Sequence, residues 1–441
     1  SHFNLDNSYW AEPSVDHLSF LLRQVYDTNS IVLRKKTLKA QEEISNLTWD
    51  EVAKNHLNFV NNELAVFNNN KTHLGCITPW NSKCGIASYS KNLFEFIKDD
   101  ALFFTPYDEA LSPIKREKVF PSWDKQDNLL ELAQRVCTCN LTSLIIQFNY
   151  GLFDFESLSN FINIVHKKDI NIFIILHSTI DPADDDSKKL SLLVHAFRKC
   201  QRLIVHTIND LNRLKKIGLI DNVCLLPHPL LSNQYQHLKI KSIDTSSSSF
   251  RVVKIASYGF CLPNKGFQEL ILATNLLIKK GLNINLSIYS AIYNPSYQYV
   301  YDELIDLVNS LNLSEFITIN PNYMTDNESL GLLSENDYLI FPYQFSNESS
   351  SAAVRYGLST LRPVLVTPLP IFDDVSGLVH RLKGFSPHDI AEGVLNVIES
   401  SNSSSHSYEA LEAKKIDLIN NRSFSKVSYR LLKMIKSLEI N

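Results

Sequence analysis

Residues 252–273, VVKIASYGFCLPNKGFQELILA, contain the pattern that decides the fold. The run VVKIAS is apolar and rich in β-branched residues, whereas GFQELILA places apolar residues at helical spacing. Gly259, Lys265 and Gly266 lie in the short connection between the two patterns. A strand followed at once by a tight turn and an amphipathic helix predicts the βα unit of a parallel sheet.

The same alternation recurs on both sides of this unit. Strands are predicted at residues 73–78, 143–148, 171–177, 202–206 and 223–227, and again at 252–259, 284–290, 316–321, 337–343 and 363–368. Helices are predicted at 85–97, 266–280, 298–311 and 350–361. Two series of βα units predict an α/β protein with two doubly wound, Rossmann-like domains that face each other across a cleft.

The composition changes outside these two series. Residues 1–70 are predicted to be a helical N-terminal extension, because their apolar residues follow helical spacing without a convincing strand. The first α/β domain is assigned to 71–232 and the second to 233–390, with a linker at 231–250 where four serines occur in succession. Residues 391–441 are expected to be a helical tail with a Ser-rich break at 400–407.

Length and composition limit the class of protein. The 441 residues are 44% hydrophobic and the formal net charge is −4, so a disordered chain and a polycationic nucleic-acid binder are both excluded. The seven cysteines form no CxxC pair, which predicts reduced thiols and no metal site. Since no apolar run is long enough to cross a bilayer, we expect a cytoplasmic protein.

Candidate functional residues of the first series follow its predicted strands, where open parallel sheets bind ligands. Gly85 begins a helix, so that backbone N–H groups can approach a phosphate, although a plain tight turn is equally consistent with the spacing. His177 ends a strand and is expected to donate a hydrogen bond to a sugar hydroxyl or an oxyanion, unless it is only structural. The acidic run 184–186 is predicted to be a solvated loop or a helix N-cap rather than a metal site.

The second series contains the densest group of candidates. Gly259, Lys265 and Gly266 lie between a strand and a helix, where a lysine adds its charge to the helix dipole. In residues 341–372, FPYQFSNESSSAAVRYGLSTLRPVLVTPLPIF, a strand is followed by Glu348 and then by a helix. That helix begins after Ser349, Ser350 and Ser351 and presents Arg355 one turn later. A Ser-capped helix explains part of this pattern, whereas hydroxyls, a carboxylate and a guanidinium together favour a site for a phosphate and a polyol.

Taken together, these segments resemble the retaining GT-B glycosyltransferases of family 4, the group 1 type, from about His73 to about Pro387. The connection GFCLPNKGFQEL is similar to the family's G-R-x-x-x-x-K-G donor loop, and the 341–372 segment is similar to its Glu-x7-Glu element. The resemblance implies an N-terminal acceptor domain and a C-terminal nucleotide-sugar donor domain.

Individual positions match the family's motifs. Lys265 matches the lysine that contacts the donor diphosphate, and Glu348 matches the glutamate that contacts the transferred sugar. His177 matches the strand-end histidine near the sugar, and Gly85 matches the loop that lies against the phosphates. Two positions depart, since Phe260 replaces the family's arginine and Tyr356 replaces its second glutamate.

The two departures affect the expected phosphate and ribose contacts. We expect Arg355 to replace those contacts together with Ser349, Ser350 and Ser351. Gly259 and Gly266 complete the expected donor-binding residues.

The ESSSAAVR variant is similar to bacterial polymannose O-antigen mannosyltransferases, and residues 8–66 resemble the helical tail of a preceding transferase domain. These likenesses imply transfer of mannose from GDP-mannose to a growing surface-polysaccharide glycan. A lipid-linked acceptor, further transferase domains and peripheral attachment to the inner membrane through partners belong to the same expectation. No cofactor is expected apart from the nucleotide sugar, which is a substrate.

The implied reaction retains the anomeric configuration by front-face displacement and does not require a metal. Lys265, Arg355 and a helix N-terminus stabilise the leaving diphosphate in this scheme. One alternative is an inactive, transferase-like scaffold or glycan-binding domain, which the changes at Phe260 and Tyr356 favour. Another is an epimerase or phosphorylase with the same fold.

Overall fold

The computed structural model describes residues 14–45, 48–51, 53–54, 73–97, 101–107, 118–231, 252–292, 294–403 and 405–439. It divides into one unit of residues 1–70 and a second of residues 71–441. Residues 232–250 of the predicted linker at 231–250 lie outside the described residues.

The described residues of the first unit include helices α1 (Val15–Asp27) and α2 (Ser30–Ser45). The Ser14 hydroxyl caps α1 by accepting a hydrogen bond from the amide of His17, which satisfies one of the first free N–H groups. The apolar side chains of α1 are exposed, among them Leu18 and Leu22. Helices α1 and α2 thus cover most of the described residues of the 1–70 extension.

The second unit begins with a seven-stranded half and continues with a six-stranded half. The strands of the first half are β1 (Leu74–Ile77), β2 (Ala101–Pro106), β3 (Lys118–Trp123), β4 (Ser143–Phe148), β5 (Asn171–Leu176), β6 (Arg202–Val205) and β7 (Val223–Leu225). Its helices are α3 (Gly85–Phe94), α4 (Leu130–Thr138), α5 (Phe155–His166), α6 (Val194–Phe197) and α7 (Ile208–Lys216).

The strands of the second half are β8 (Val253–Phe260), β9 (Ile284–Ala291), β10 (Ile317–Asn320), β11 (Tyr338–Phe341), β12 (Val364–Val366) and β13 (His380–Arg381). Its helices are α8 (Phe267–Lys279), α9 (Gln298–Ser310), α10 (Asp326–Ser334) and α11 (Ala352–Ser359). The chain then continues with α12 (Pro387–Ser403), α13 (Ser405–Asn421) and α14 (Phe424–Leu438). The boundary between α12 and α13 falls within the Ser-rich stretch 400–407, and residue 404 between them lies outside the described residues.

Both sheets are parallel throughout their described strand pairs. The first has the order β3-β2-β1-β4-β5-β6-β7, and the second has the order β10-β9-β8-β11-β12-β13. The order reverses between β1 and β4 in one sheet and between β8 and β11 in the other. At such a reversal the following connections diverge to opposite faces and leave a crevice, so these two points are where a ligand is expected.

The central strands are buried on both faces, as continuous apolar runs require in a parallel sheet. All six residues of β4 are buried, and the helices on either side contribute the rest of each core. The final helix α14 returns to the first half, where the Ser428 hydroxyl donates a hydrogen bond of 2.6 Å to the Leu93 carbonyl at the end of α3. The doubly wound α/β class expected from the sequence is confirmed.

Three strands were not predicted from the sequence. Pro106 and Pro121 interrupt the patterns of β2 and β3, and a proline in a run argues against a central strand. Both lie toward one edge of the sheet, where a missing N–H is tolerated. The third, β13, is only two residues long, and both residues are polar, so it leaves no apolar pattern in the sequence. Within the acidic run, Asp185 caps a short 3₁₀ helix, as the N-cap interpretation predicts.

Candidate functional site

The two reversals in strand order place the candidate residues on facing loops. After β5, the His177 carbonyl accepts a hydrogen bond of 3.1 Å from the amide of Ser349, which precedes α11 in the other half. The neighbouring Ser178 hydroxyl donates to the Asn347 carbonyl at 2.6 Å. The strand-end histidine and the serine-rich segment therefore meet across the cleft.

Lys265 is the cation of the donor-side loop. Its ammonium lies 3.9 Å from the centre of the Tyr343 ring, a cation–π contact. Burial acts to lower the pKa of Lys265, but the Tyr343 hydroxyl and the Glu348 carboxylate outweigh it, so that the pKa is raised. Lys265 is therefore charged at neutral pH, whereas Glu348 is an exposed carboxylate in the loop before α11.

The three candidate glycines have different surroundings. Gly266 adopts φ +75°, and a Cβ there would lie 1.8 Å from the Pro342 carbonyl oxygen, so no other residue fits without displacing backbone. Gly259 has φ +151°, with its nearest neighbours at ordinary contact distance. Gly85 is exposed at the first position of α3, with no atom within 4 Å of its ideal Cβ position. Backbone constraint is therefore strongest beside Lys265.

The serines before α11 divide into two roles. Ser351 is the N-cap, and its hydroxyl accepts a hydrogen bond from the Val354 amide and contacts the Tyr343 hydroxyl. The hydroxyls of Ser349 and Ser350 are buried without a hydrogen-bond partner among the described residues. Since the first N–H groups of a helix also lack intrahelical partners, this end of α11 presents several donors.

Arg355 does not face the open cleft. Its guanidinium pairs with Asp374 and donates to the Ser351 carbonyl at 2.8 Å, and its side chain is only 3% exposed. Burial lowers the pKa of Arg355, and the adjacent carboxylate opposes that shift. Its charge is thus balanced by Asp374, a residue that the sequence pattern did not single out, and it supports the backbone of the serine segment.

The first half contributes a cluster of buried rings. Tyr89 on α3 contacts His177, His206 and His228, with ring centres 4.8, 5.6 and 5.1 Å away. Burial lowers the pKa of all three imidazoles, to about 4 for His206, so they are neutral at neutral pH. His206 ends the predicted strand 202–206 and His228 directly follows the predicted strand 223–227, so the rule that selected His177 also selects them, whereas Tyr89 carries no such indication.

The two departures from the family pattern lie in a neighbouring aromatic group. The Tyr356 hydroxyl donates to Asp326 at 2.6 Å, and Asn92 of α3 donates to the same carboxylate at 3.0 Å. Phe260 stacks on Tyr323 with ring centres 6.3 Å apart. Asp326 therefore supplies a carboxylate close to the position where the family has glutamate.

Unpartnered buried polar atoms concentrate at this cleft. Ten such side-chain atoms occur among the described residues, and five belong to residues at the cleft: Tyr89 Oη, Gln147 Nε2, His206 Nε2, Ser349 Oγ and Ser350 Oγ. Four of the five can donate a hydrogen bond. Buried polar groups in folded proteins are normally satisfied, so this excess of donors suits a ligand or waters rich in acceptor oxygens.

No protein-family model matches the chain, and no curated protein matches its sequence. Solved structures do match its fold. A glycosyltransferase from Rickettsia africae aligns with a TM-score of 0.65 at 13% identity, covering 84% of this chain and 99% of that one.

HepE of Anabaena, solved in complex with UDP, gives a TM-score of 0.67 at 12% identity over 83% of this chain and 100% of its own. A trehalose-6-phosphate synthase gives 0.63 at 12% identity over 83% and 99% of the two chains. These likenesses, with the two parallel sheets, confirm the expected GT-B fold.

Two features are absent from the described residues. These residues contain no group of three or more His, Cys, Asp or Glu side chains arranged to hold a metal ion. None of their helices is both long and apolar enough to cross a membrane.

Proposed function

We propose that this protein is a hexosyltransferase that uses a nucleotide diphosphate sugar. The observation that carries the proposal is the excess of unpartnered donors at the cleft, next to the charged Lys265. Phosphate oxygens accept hydrogen bonds and carry negative charge, so a diphosphate complements hydroxyls, a helix N-terminus and an ammonium group. The fold shared with sugar-transferring enzymes supports this assignment.

In the proposed reaction, the bond between the anomeric carbon and the diphosphate breaks, and a bond to the acceptor hydroxyl oxygen forms on the same face of the sugar. The acceptor proton passes to an oxygen of the leaving diphosphate. Lys265, Ser349, Ser350 and the start of α11 stabilise the charge that develops on that group, a role that electrostatics can fill without a metal. Glu348 accepts hydrogen bonds from hydroxyls of the transferred sugar.

We assign Arg355 a supporting role rather than the phosphate and ribose contacts expected from its position in the sequence. With its charge balanced by Asp374, it holds the Ser351 carbonyl and thereby the serine segment that faces the diphosphate. The resemblance favours mannose as the sugar, GDP-mannose as the donor and a surface-polysaccharide glycan as the acceptor. The Anabaena neighbour was solved with UDP, which makes uracil the first alternative to guanine as the base of the donor.

The test combines binding with turnover. Thermal unfolding is measured with two pairs of ligands, GDP with GDP-mannose and UDP with UDP-glucose. The ligands of one pair are expected to stabilise the fold by about 2.7 kcal/mol at 100 times their Kd. Replacing both Ser349 and Ser350 with Ala should reduce that stabilisation, whereas Ser310→Ala, at the exposed end of α9, should not.

The second part follows release of nucleotide from the selected sugar donor, with Glu348→Ala as the comparison. Stabilisation without turnover, together with an unchanged Glu348→Ala variant, would support the inactive scaffold. Failure of every nucleotide to stabilise the fold would refute the proposed donor.

A further inference from the structure

The imidazole of His177 is held by a side chain rather than by the backbone. Gln147 and His177 lie at the carboxyl ends of adjacent parallel strands, where Gln147 pairs in register with Ile175. The amide oxygen of Gln147 is 2.7 Å from Nε2 of His177. Because an amide oxygen can only accept, Nε2 carries the proton and Nδ1 carries the lone pair.

The other two imidazoles of the cluster are fixed differently. His206 donates from Nδ1 to the Leu226 carbonyl at 2.9 Å, and His228 donates from Nδ1 to the Pro229 carbonyl at 2.9 Å. Backbone carbonyls set these two tautomers, so substitution of a single side chain cannot reverse them. His177 is therefore the member of the cluster whose protonation a substitution can reset.

The surroundings of His177 keep its ring neutral. Burial lowers its pKa well below the ordinary value, and His206 contributes in the same direction. Within the cluster, His177 is accompanied by Tyr89 from α3, His206 after β6 and His228 after β7. Arg355 of α11 lowers the pKa of His206 and of His228. The charge of Arg355 is itself paired with Asp374.

We propose that Gln147 and Tyr89 are positioning residues that hold His177 as a neutral hydrogen-bond acceptor for a sugar hydroxyl. The Tyr89 ring meets the imidazole edge-on, at 85° and 4.8 Å, and fixes its plane, while Gln147 fixes its tautomer. This reverses the direction expected from the sequence, in which His177 donates. The inference rests on the proposed function and identifies the chemistry of its partner, a hydroxyl of either the donor sugar or the acceptor.

The decisive variant is Gln147→Glu. It places a carboxylate beside Nε2 and raises the pKa of His177, because a neighbouring negative charge favours imidazolium. Whether the added proton stays on the carboxyl group or on the ring, Nδ1 becomes protonated and can no longer accept. Turnover should therefore fall by at least ~10-fold on the acidic side of the new pKa and recover as the pH rises. The native protein should show no such acidic limb, that is, no such fall in turnover as the pH decreases through this range.

The matched control is Gln201→Glu, at the amino end of β6, where Gln201 donates to Asn171 on the opposite edge of the sheet from the cleft. It should leave the pH profile unchanged. A pH profile of Gln147→Glu that parallels the native one would overturn the inference. Donor hydrolysis and transfer to the acceptor are measured separately. If only transfer falls at acidic pH, the hydroxyl that donates to His177 belongs to the acceptor. If both reactions fall, that hydroxyl belongs to the donor sugar.

A readout independent of activity is the ¹⁵N spectrum of the full chain labelled at histidine, with His177 assigned by its loss in His177→Asn. The expected pattern is a protonated Nε2 and an unprotonated Nδ1 at neutral pH. A protonated Nδ1 would overturn the inference even if the protein transfers sugar. Conversely, absence of any turnover would refute the proposed function and leave this spectrum as the test of the tautomer.

Discussion

The two halves of the second unit present opposite kinds of chemistry at equivalent positions. After its strands, the seven-stranded half presents neutral rings, Tyr89 and three imidazoles whose pKa values burial has lowered. The six-stranded half presents Lys265, Glu348 and the paired Arg355. The charges of Lys265 and Glu348 therefore lie on the side proposed for the diphosphate, and the neutral rings lie where an uncharged sugar would be recognised.

The contrast has a physical reason. A cation close to imidazoles in a buried setting disfavours a second positive charge, and Arg355 lowers the pKa of His206 and His228 in this way. One half thus helps to keep the other neutral. Substitutions that unbalance the charged half should consequently have larger effects than substitutions that alter backbone or space alone.

The largest effect is expected from Asp374→Asn. Removing this carboxylate leaves the buried guanidinium of Arg355 without its counter-charge, and breaking a buried pair typically costs about 3–5 kcal/mol of unfolding free energy. Urea unfolding measures the loss. Asp373→Asn is the control, because the neighbouring carboxylate pairs with Arg381 at a half-exposed site and should cost about 1 kcal/mol or less. Equal losses from the two variants would contradict the role of burial.

The next largest effect is expected from Lys265→Ala. If the ammonium stabilises the leaving diphosphate, its removal should lower turnover at least ~100-fold in steady-state assays of donor consumption. Lys279→Ala, at the exposed far end of α8, serves as the control and should retain native turnover. If Lys265→Ala kept native turnover, the ammonium group would have no role in the reaction. The difference in charge between the two halves would then have no functional consequence at this position.

A smaller effect, on stability, is expected when alanine replaces the glycine of each loop. Gly266→Ala forces a Cβ against the Pro342 carbonyl at positive φ and should lower the free energy of unfolding by about 2 kcal/mol. Gly85→Ala has open space and should change it by at most about 0.5 kcal/mol. Thermal and urea unfolding of the two variants compare them directly, and equal values would show that the donor-side loop is not the more constrained one.

Local patterns in the sequence predicted much of this architecture. The apolar run 143–148 coincides with β4, and 298–311 differs from α9 by one residue, because each is bounded by polar or turn-forming residues. The same patterns located His177 at a strand end, and Lys265 and Ser349 in connections between a strand and the following helix. They could not show that Arg355 pairs with Asp374, nor that Gln147 sets the tautomer of His177, since both depend on which distant strand or loop lies alongside.

Two segments of the chain lie side by side where the backbone passes between the halves. Leu230 and Ser423 form a parallel bridge, with the Leu230 amide donating to the Arg422 carbonyl and the Phe424 amide donating to the Leu230 carbonyl. The segment that leaves the seven-stranded half at Leu230 thus lies beside the segment that returns to it at Ser423, and the Ser428 hydrogen bond joins α14 to α3. Two backbone hydrogen bonds therefore hold together, at one place, two segments that are distant in the sequence.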